Sequence, residues 1–119
     1  MDKATIKFIC NELRRATTTW DGRAECLRRA RIQVLEGTYK NGKQKYKYYW
    51  KCAKCAELFR DEKSMEVDHI IEIGPFKGCL NDYAERMFCG QDNLQALCVG
   101  CHKKKTATNA SLRFERKAR

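Results

Sequence analysis

Two cysteine pairs constrain this chain more than any other feature. Cys52-Ala53-Lys54-Cys55 and Cys98-Val99-Gly100-Cys101 each set two thiols three positions apart, with forty-two residues between Cys55 and Cys98. That spacing lets both sulfurs of a pair face one ion, and two such knuckles make a tetrahedral zinc site with ligands at about 2.3 Å. Cys52, Cys55, Cys98 and Cys101 are therefore expected to hold a structural Zn2+, since four thiolates leave no open position for a substrate. Uptake of zinc would contribute on the order of 10 kcal/mol to folding. The plain alternative is two redox or merely buried pairs, but the βαβ context of a thioredoxin-like motif is missing. The separation exceeds that of a simple zinc ribbon, so something is inserted inside the staple.

The staple matters because the chain is short: 119 residues make one domain with one modest core. Hydrophobic residues are 43% of the total, which excludes a disordered chain, and no linker or repeat divides it. The net charge of +10 favours an anionic partner, nucleic acid or an acidic surface, although charge serves solubility too. No apolar run approaches the roughly 18 residues of a membrane span. The N-terminus lacks the apolar stretch of a signal peptide. The expected location is the cytoplasm, where cysteines read as metal ligands or free thiols rather than disulfides. Cys10, Cys26, Cys79 and Cys89 have no ligand spacing and are expected to be buried or partly buried thiols.

Periodicity predicts a helix over residues 4–16, with Ile6, Ile9, Cys10 and Leu13 on one face. Asp21 reads as the N-cap of a second helix whose stripe is Ala24, Leu27, Ala30 and Val34, with Gly37 as its stop. Asn41-Gly42 is a hairpin-turn signal, and the Lys/aromatic run Lys45–Trp50 reads as a β-ribbon leading into Cys52. Met65–Val67 begins a short strand that runs into Asp68-His69-Ile70. Residues 74–92 read as an inserted loop, in which Asp82 and Glu85 form a capping box for a short helix through Phe88. Leu94–Leu97 reads as another strand, followed from about Val99 by a lysine-rich helix of undefined end.

Both histidines of the chain fall in or beside the staple: His69 after Asp68, and His102 after Cys101. Hydrolysis of a phosphodiester needs a base for water, which a histidine titrating near neutrality supplies. It also needs charge stabilisation, which a divalent cation supplies. An aspartate and a neutral imidazole can hold that cation, and an asparagine such as Asn93 can orient the base through a side-chain hydrogen bond. In a regular strand Asp68 and His69 point to opposite faces, so both serve one site only if the strand ends or twists there.

The ordered set Cys52-x-x-Cys55, Val67-Asp68-His69-Ile70 and Asn93-Leu94-Gln95-Ala96-Leu97-Cys98-x-x-Cys101-His102-x-x-Lys105-Thr106 resembles the HNH endonuclease family. It is similar in particular to the small HNH proteins encoded by tailed bacteriophages. The resemblance spans roughly residues 46–106. It implies an α+β fold with a ββα-metal core over 51–106, an N-terminal helical pair and β-ribbon over 1–50, and a basic tail over 107–119. It implies that His69 is the general base, that Asn93 positions it, and that Asp68 and His102 hold a catalytic Mg2+ or Mn2+. The long stretch 70–92 departs from the family pattern.

His102 has an alternative role as a zinc ligand in place of Cys101, but four cysteines already suffice. Lys103, Lys104 and Lys105 are expected beside the substrate phosphates. Lys45 and Lys47 on the ribbon, and Arg28 and Arg31 on the second helix, are further candidate nucleic-acid contacts. Each has a plain alternative as a solvated surface residue. The expected partner is double-stranded DNA held by its backbone, with no membrane partner. A homodimer or phage packaging proteins are conceivable partners, and the host cytoplasm is the location if the gene is a phage's. The competing class is a non-catalytic zinc module that binds nucleic acid.

Overall fold

The computed structural model describes residues 1–118. Helix α1, Lys3–Ala16, starts where Asp2 caps it by accepting from the Thr5 N–H at 2.7 Å. Helix α2 covers Asp21–Ala30, and strands β1 and β2 are Arg31–Thr38 and Gln44–Lys51. The two-residue strand β3 is Leu58–Phe59, and β4 is Met65–His69. Helix α3 is Leu80–Met87, β5 is Leu94–Cys98, and α4 is Val99–Ala118. The protein is thus mixed α+β, with one antiparallel sheet ordered β1-β2-β3 and another pairing β4 with β5.

Two elements differ from the sequence expectation. The second helix stops at Ala30, and the chain turns straight into β1, so Val34 lies on a strand and Gly37 at a β-bulge with φ +145°. The cause is pairing across Asn41-Gly42: β2 runs from Gln44 to Lys51, and an equal partner on the other side of the turn must be residues 31–38. Ile32, Val34 and Thr38 are β-branched and suit it, so cross-strand pairing overrides a weak helical period. Asp21 is the first helical residue, and Trp20 holds the cap position without a side-chain hydrogen bond. The second difference is the start of α3. Asp82 and Glu85 make no capping box; the cap is Cys79, whose exposed Sγ accepts from the Asp82 N–H, and Asp82 pairs with Arg86 instead.

The expected basic tail is helical: α4 continues to Ala118, and Arg119 lies outside the described residues.

Two clusters form the core. One gathers Leu27 of α2, Met65 of β4, and Leu94, Ala96 and Leu97 of β5 around the knuckle cysteines, with Trp20, Trp50 and Phe59 packed on it. The other joins Cys10, Ile6 and Leu13 of α1 to Tyr83 and Met87 of α3. An edge-to-face contact of Trp20 with Phe88, 5.2 Å between ring centres, joins the two clusters. The insertion inside the staple is therefore held in place by α1 and does not hang free.

Candidate metal centre and catalytic cleft

The four knuckle cysteines converge. Their sulfurs all lie within 4.8 Å of one another, against about 3.8 Å for the edge of a tetrahedron with 2.3 Å bonds. Among the described residues this is the one group of three or more His, Cys, Asp or Glu side chains gathered closely enough to hold a metal ion. The first knuckle closes because Ala56 takes a left-handed φ of 63° and donates to the Cys52 carbonyl at 3.0 Å. The Ala53 N–H donates to Ala96 O at 2.9 Å, tying that knuckle to β5, whose last residue is Cys98. Burial opposes the Cys52 thiolate, but the backbone N–H groups of Cys55, Cys98 and Lys54 outweigh it and hold this thiol down to about 6. The Cys101 thiol is pushed up to about 12, first by its hydrogen bond with Cys98, then by burial and the other sulfurs. Four crowded sulfurs cannot all ionise without a cation among them, which is the chemistry of a structural zinc site.

The second centre lies where β4 ends. Alternation along β4 puts Glu66 and Asp68 on one face. That face looks at α4, which follows β5 directly. His102 Nδ1 lies 2.5 Å from Glu66 Oε2, and His102 Nε2 lies 3.7 Å from Asp68 Oδ1. A carboxylate only accepts, so Nδ1 carries a proton, and in the neutral ring Nε2 then presents its lone pair toward Asp68. The other oxygen of Asp68, Oδ2, is occupied: Lys105 Nζ donates to it at 2.5 Å and Gln95 Nε2 at 2.9 Å. Asp68 Oδ1 and His102 Nε2 are therefore the free donors of this group. An oxygen and an imidazole nitrogen backed by a second carboxylate suit a hard divalent cation such as Mg2+ or Mn2+.

His69 points to the other face of β4. Its Nε2 lies 2.7 Å from the Met87 carbonyl at the end of α3. The carbonyl only accepts, so Nε2 is the protonated nitrogen and Nδ1 is left with its lone pair. His69 is half-buried and lines, with Asp68 and His102, one open cleft of about 1080 Å3. The two faces meet in one cleft because β4 stops at His69. Asn93 does not touch the His69 ring, contrary to the sequence expectation. Its side chain accepts from the Ile71 N–H at 2.8 Å and donates to the Ile71 carbonyl at 3.3 Å, while its own carbonyl accepts from Ile70 at 2.9 Å. It fixes the exit of β4, and the carbonyl of Met87 orients the imidazole.

The expected cationic contacts redistribute. Lys105 does not project to solvent; besides Asp68 it donates to the carbonyls of His69 at 2.7 Å and Ile70 at 3.2 Å. Lys103 and Lys104 are exposed but do not line the cleft, and neither do Lys45, Lys47, Arg28 or Arg31. Arg28 pairs with Glu25 on its own helix. The cations that line the cleft besides Lys105 are Arg14, Lys77 and Arg113. Arg14 is held by its Nε donating to Tyr83 Oη at 2.7 Å, and Arg113 reaches Glu72 at 3.5 Å.

Sequence reasoning missed Glu66, Gln95, Arg14 and Arg113. Glu66 stands two residues before Asp68 on a strand, and Gln95 lies opposite Asp68 in the β4–β5 register. His102, Thr106, Asn109 and Arg113 recur at helical spacing along one side of α4. Those three signals were present. Arg14 left none, because α1 meets α3 only through tertiary packing. Compared with protein families, curated proteins and solved structures, the chain matches none of them.

Proposed function

We propose that the protein is a metal-dependent HNH-type endonuclease that hydrolyses DNA phosphodiester bonds on a ββα-metal core formed by β4, β5 and α4. One observation carries the reading: Asp68 Oδ1 and His102 Nε2 face each other beside a histidine whose only unprotonated nitrogen is Nδ1, in a cleft edged by Arg14, Lys77 and Arg113. Asp68 and His102 would hold Mg2+ or Mn2+, which when bound supplies charge stabilisation at the phosphate and at the departing 3′-oxygen.

The remaining tasks belong to the protein's own groups. His69 Nδ1 takes a proton from the attacking water, while Nε2–H stays on the Met87 carbonyl and keeps the ring in that tautomer. Glu66 keeps the His102 proton on Nδ1. Lys105 and Gln95 hold Asp68 through one oxygen and leave the other free. Arg14, Lys77 and Arg113 neutralise phosphates flanking the scissile one. The products would be a 5′-phosphate and a 3′-hydroxyl, as the family resemblance implies.

The test is supercoiled plasmid with Mg2+ or Mn2+ and a chelator control, beside His69→Ala. The parent should relax plasmid only with metal, and His69→Ala should be slower by about 10²–10⁴-fold with unchanged zinc content and circular dichroism. Equal rates for the two proteins would sink the reading. One observation favours a non-catalytic zinc module: the Lys105 ammonium already neutralises Asp68. That reading expects plasmid binding without cutting under every metal.

A further inference from the structure

The β1–β2 ribbon contributes no residue to the cleft, yet its charge is strongly one-sided. Between Arg31 and Lys51 stand six cations, Arg31, Lys40, Lys43, Lys45, Lys47 and Lys51, against the single carboxylate of Glu36. The register sorts the side chains. Along β2, Tyr46, Tyr48 and Trp50 share one face, and Lys45, Lys47, Tyr49 and Lys51 share the other. Arg60 joins the lysine face, its guanidinium 5.5 Å from the centre of the Tyr49 ring and hydrogen-bonded to the Tyr48 carbonyl at 2.6 Å. Glu36 sits there too, taking Lys47 at 2.9 Å and the Tyr49 hydroxyl at 2.5 Å.

The foot of the lysine face opens into a separate groove of about 550 Å3. Arg29, Arg31 and Lys51 line it, and no carboxylate does; it shares no lining residue with the catalytic cleft. Arg29 reaches it from α2 while paired with Glu25 at 3.0 Å. Ile32 and Lys51 belong both to the groove and to the lysine face, so groove and ribbon form one cationic track.

We propose that this track is a second seat for duplex DNA, gripping backbone phosphates away from the scissile bond. It rests on the reading that the cleft acts on DNA. A two-stranded ribbon, its strands about 4.8 Å apart, fits a major groove about 12 Å wide. A second copy of this chain fits poorly, because two such ribbons repel each other. The free edge at β1 is also broken by the bulge between Leu35 and Gly37.

The experiment measures binding of a short fluorescein-labelled duplex of mixed sequence by anisotropy across a salt series. Parent, Lys45→Ala/Lys47→Ala/Lys51→Ala, the corresponding triple arginine variant and His69→Ala are compared, each checked for zinc content and circular dichroism. The triple alanine variant should bind about tenfold or more weakly near physiological salt, with the log–log salt slope shallower by up to about 3. The arginine variant should bind as the parent does, and the alanine variant should still cut plasmid at saturating protein. His69→Ala should bind like the parent while cutting slowly. Unchanged affinity and slope in the alanine variant overturn the ribbon proposal and leave the nuclease reading standing. Tight binding by a parent that never cuts overturns the nuclease reading alone. A concentration-dependent dimer of the parent that the alanine variant loses, or a parent that does not bind duplex, also overturns the ribbon proposal.

Discussion

Glu66 and His102 stand 2.5 Å apart on neighbouring elements, and their contact decides which imidazole nitrogen is free. Removing the carboxylate lets the ring rotate or change tautomer, so the lone pair no longer faces Asp68. Glu66→Ala should weaken catalytic cation binding by about 10–100-fold. The measurement is the Mn2+ concentration for half-maximal nicking, which should rise while the rate at saturating Mn2+ changes little. Glu66→Gln, which still accepts from Nδ1, should restore part of the affinity. A purely structural role for Glu66 would instead lower the rate at every Mn2+ concentration and leave the half-maximal point in place.

At the scale of elements, α3 is the part that the staple has to accommodate. Its last residue, Met87, is fully buried against α1, and its carbonyl is the group that orients His69. Met87→Ala should cost about 2–5 kcal/mol of stability through the cavity it leaves, read by urea denaturation of the zinc-loaded protein. The same variant should lower the nicking rate more than it alters DNA affinity, because the backbone carbonyl moves while the cleft cations stay. Helix α4 has two roles: its first turn carries Cys101 and His102, and its later turns carry Arg113 to the cleft wall. Its length past residue 107 is therefore part of the site.

The whole molecule is long and thin, 66 × 31 × 21 Å, with little core for its surface. Such a shape should depend on the four-cysteine centre for its stability. Stripping zinc with a strong chelator should unfold the domain, because a structural zinc contributes on the order of 10 kcal/mol. Far-ultraviolet circular dichroism would follow the loss and its recovery on adding Zn2+. Acid should compete at the same centre. The Cys52 thiol lies at about 6 without metal, well below its ordinary 9.0, so above pH 6 it meets zinc as a thiolate. Below that value one more proton must leave, so proton release per zinc should increase there and affinity should fall more steeply. Titration calorimetry in buffers of differing protonation enthalpy measures that release.

The local chemistry of the chain determined a good deal by itself. Each CxxC pair sets two thiols where they can face one ion, because that spacing is a local geometric fact, and the four sulfurs do converge. Asn41-Gly42 specifies the hairpin turn, and the apolar period of residues 4–16 specifies α1. Other features depended on groups distant in sequence. Residues 31–37 were β rather than helix because their partner strand lies beyond the turn. Lys105 turned inward because three oxygens at the end of β4 await a donor. The orienting group for His69 is a backbone carbonyl, which no side-chain pattern can signal. Arg14 joined the cleft only because α1 packs on α3. Ligand type and spacing are written in neighbouring residues, but the direction of a lone pair is set by whatever the folded chain brings against it.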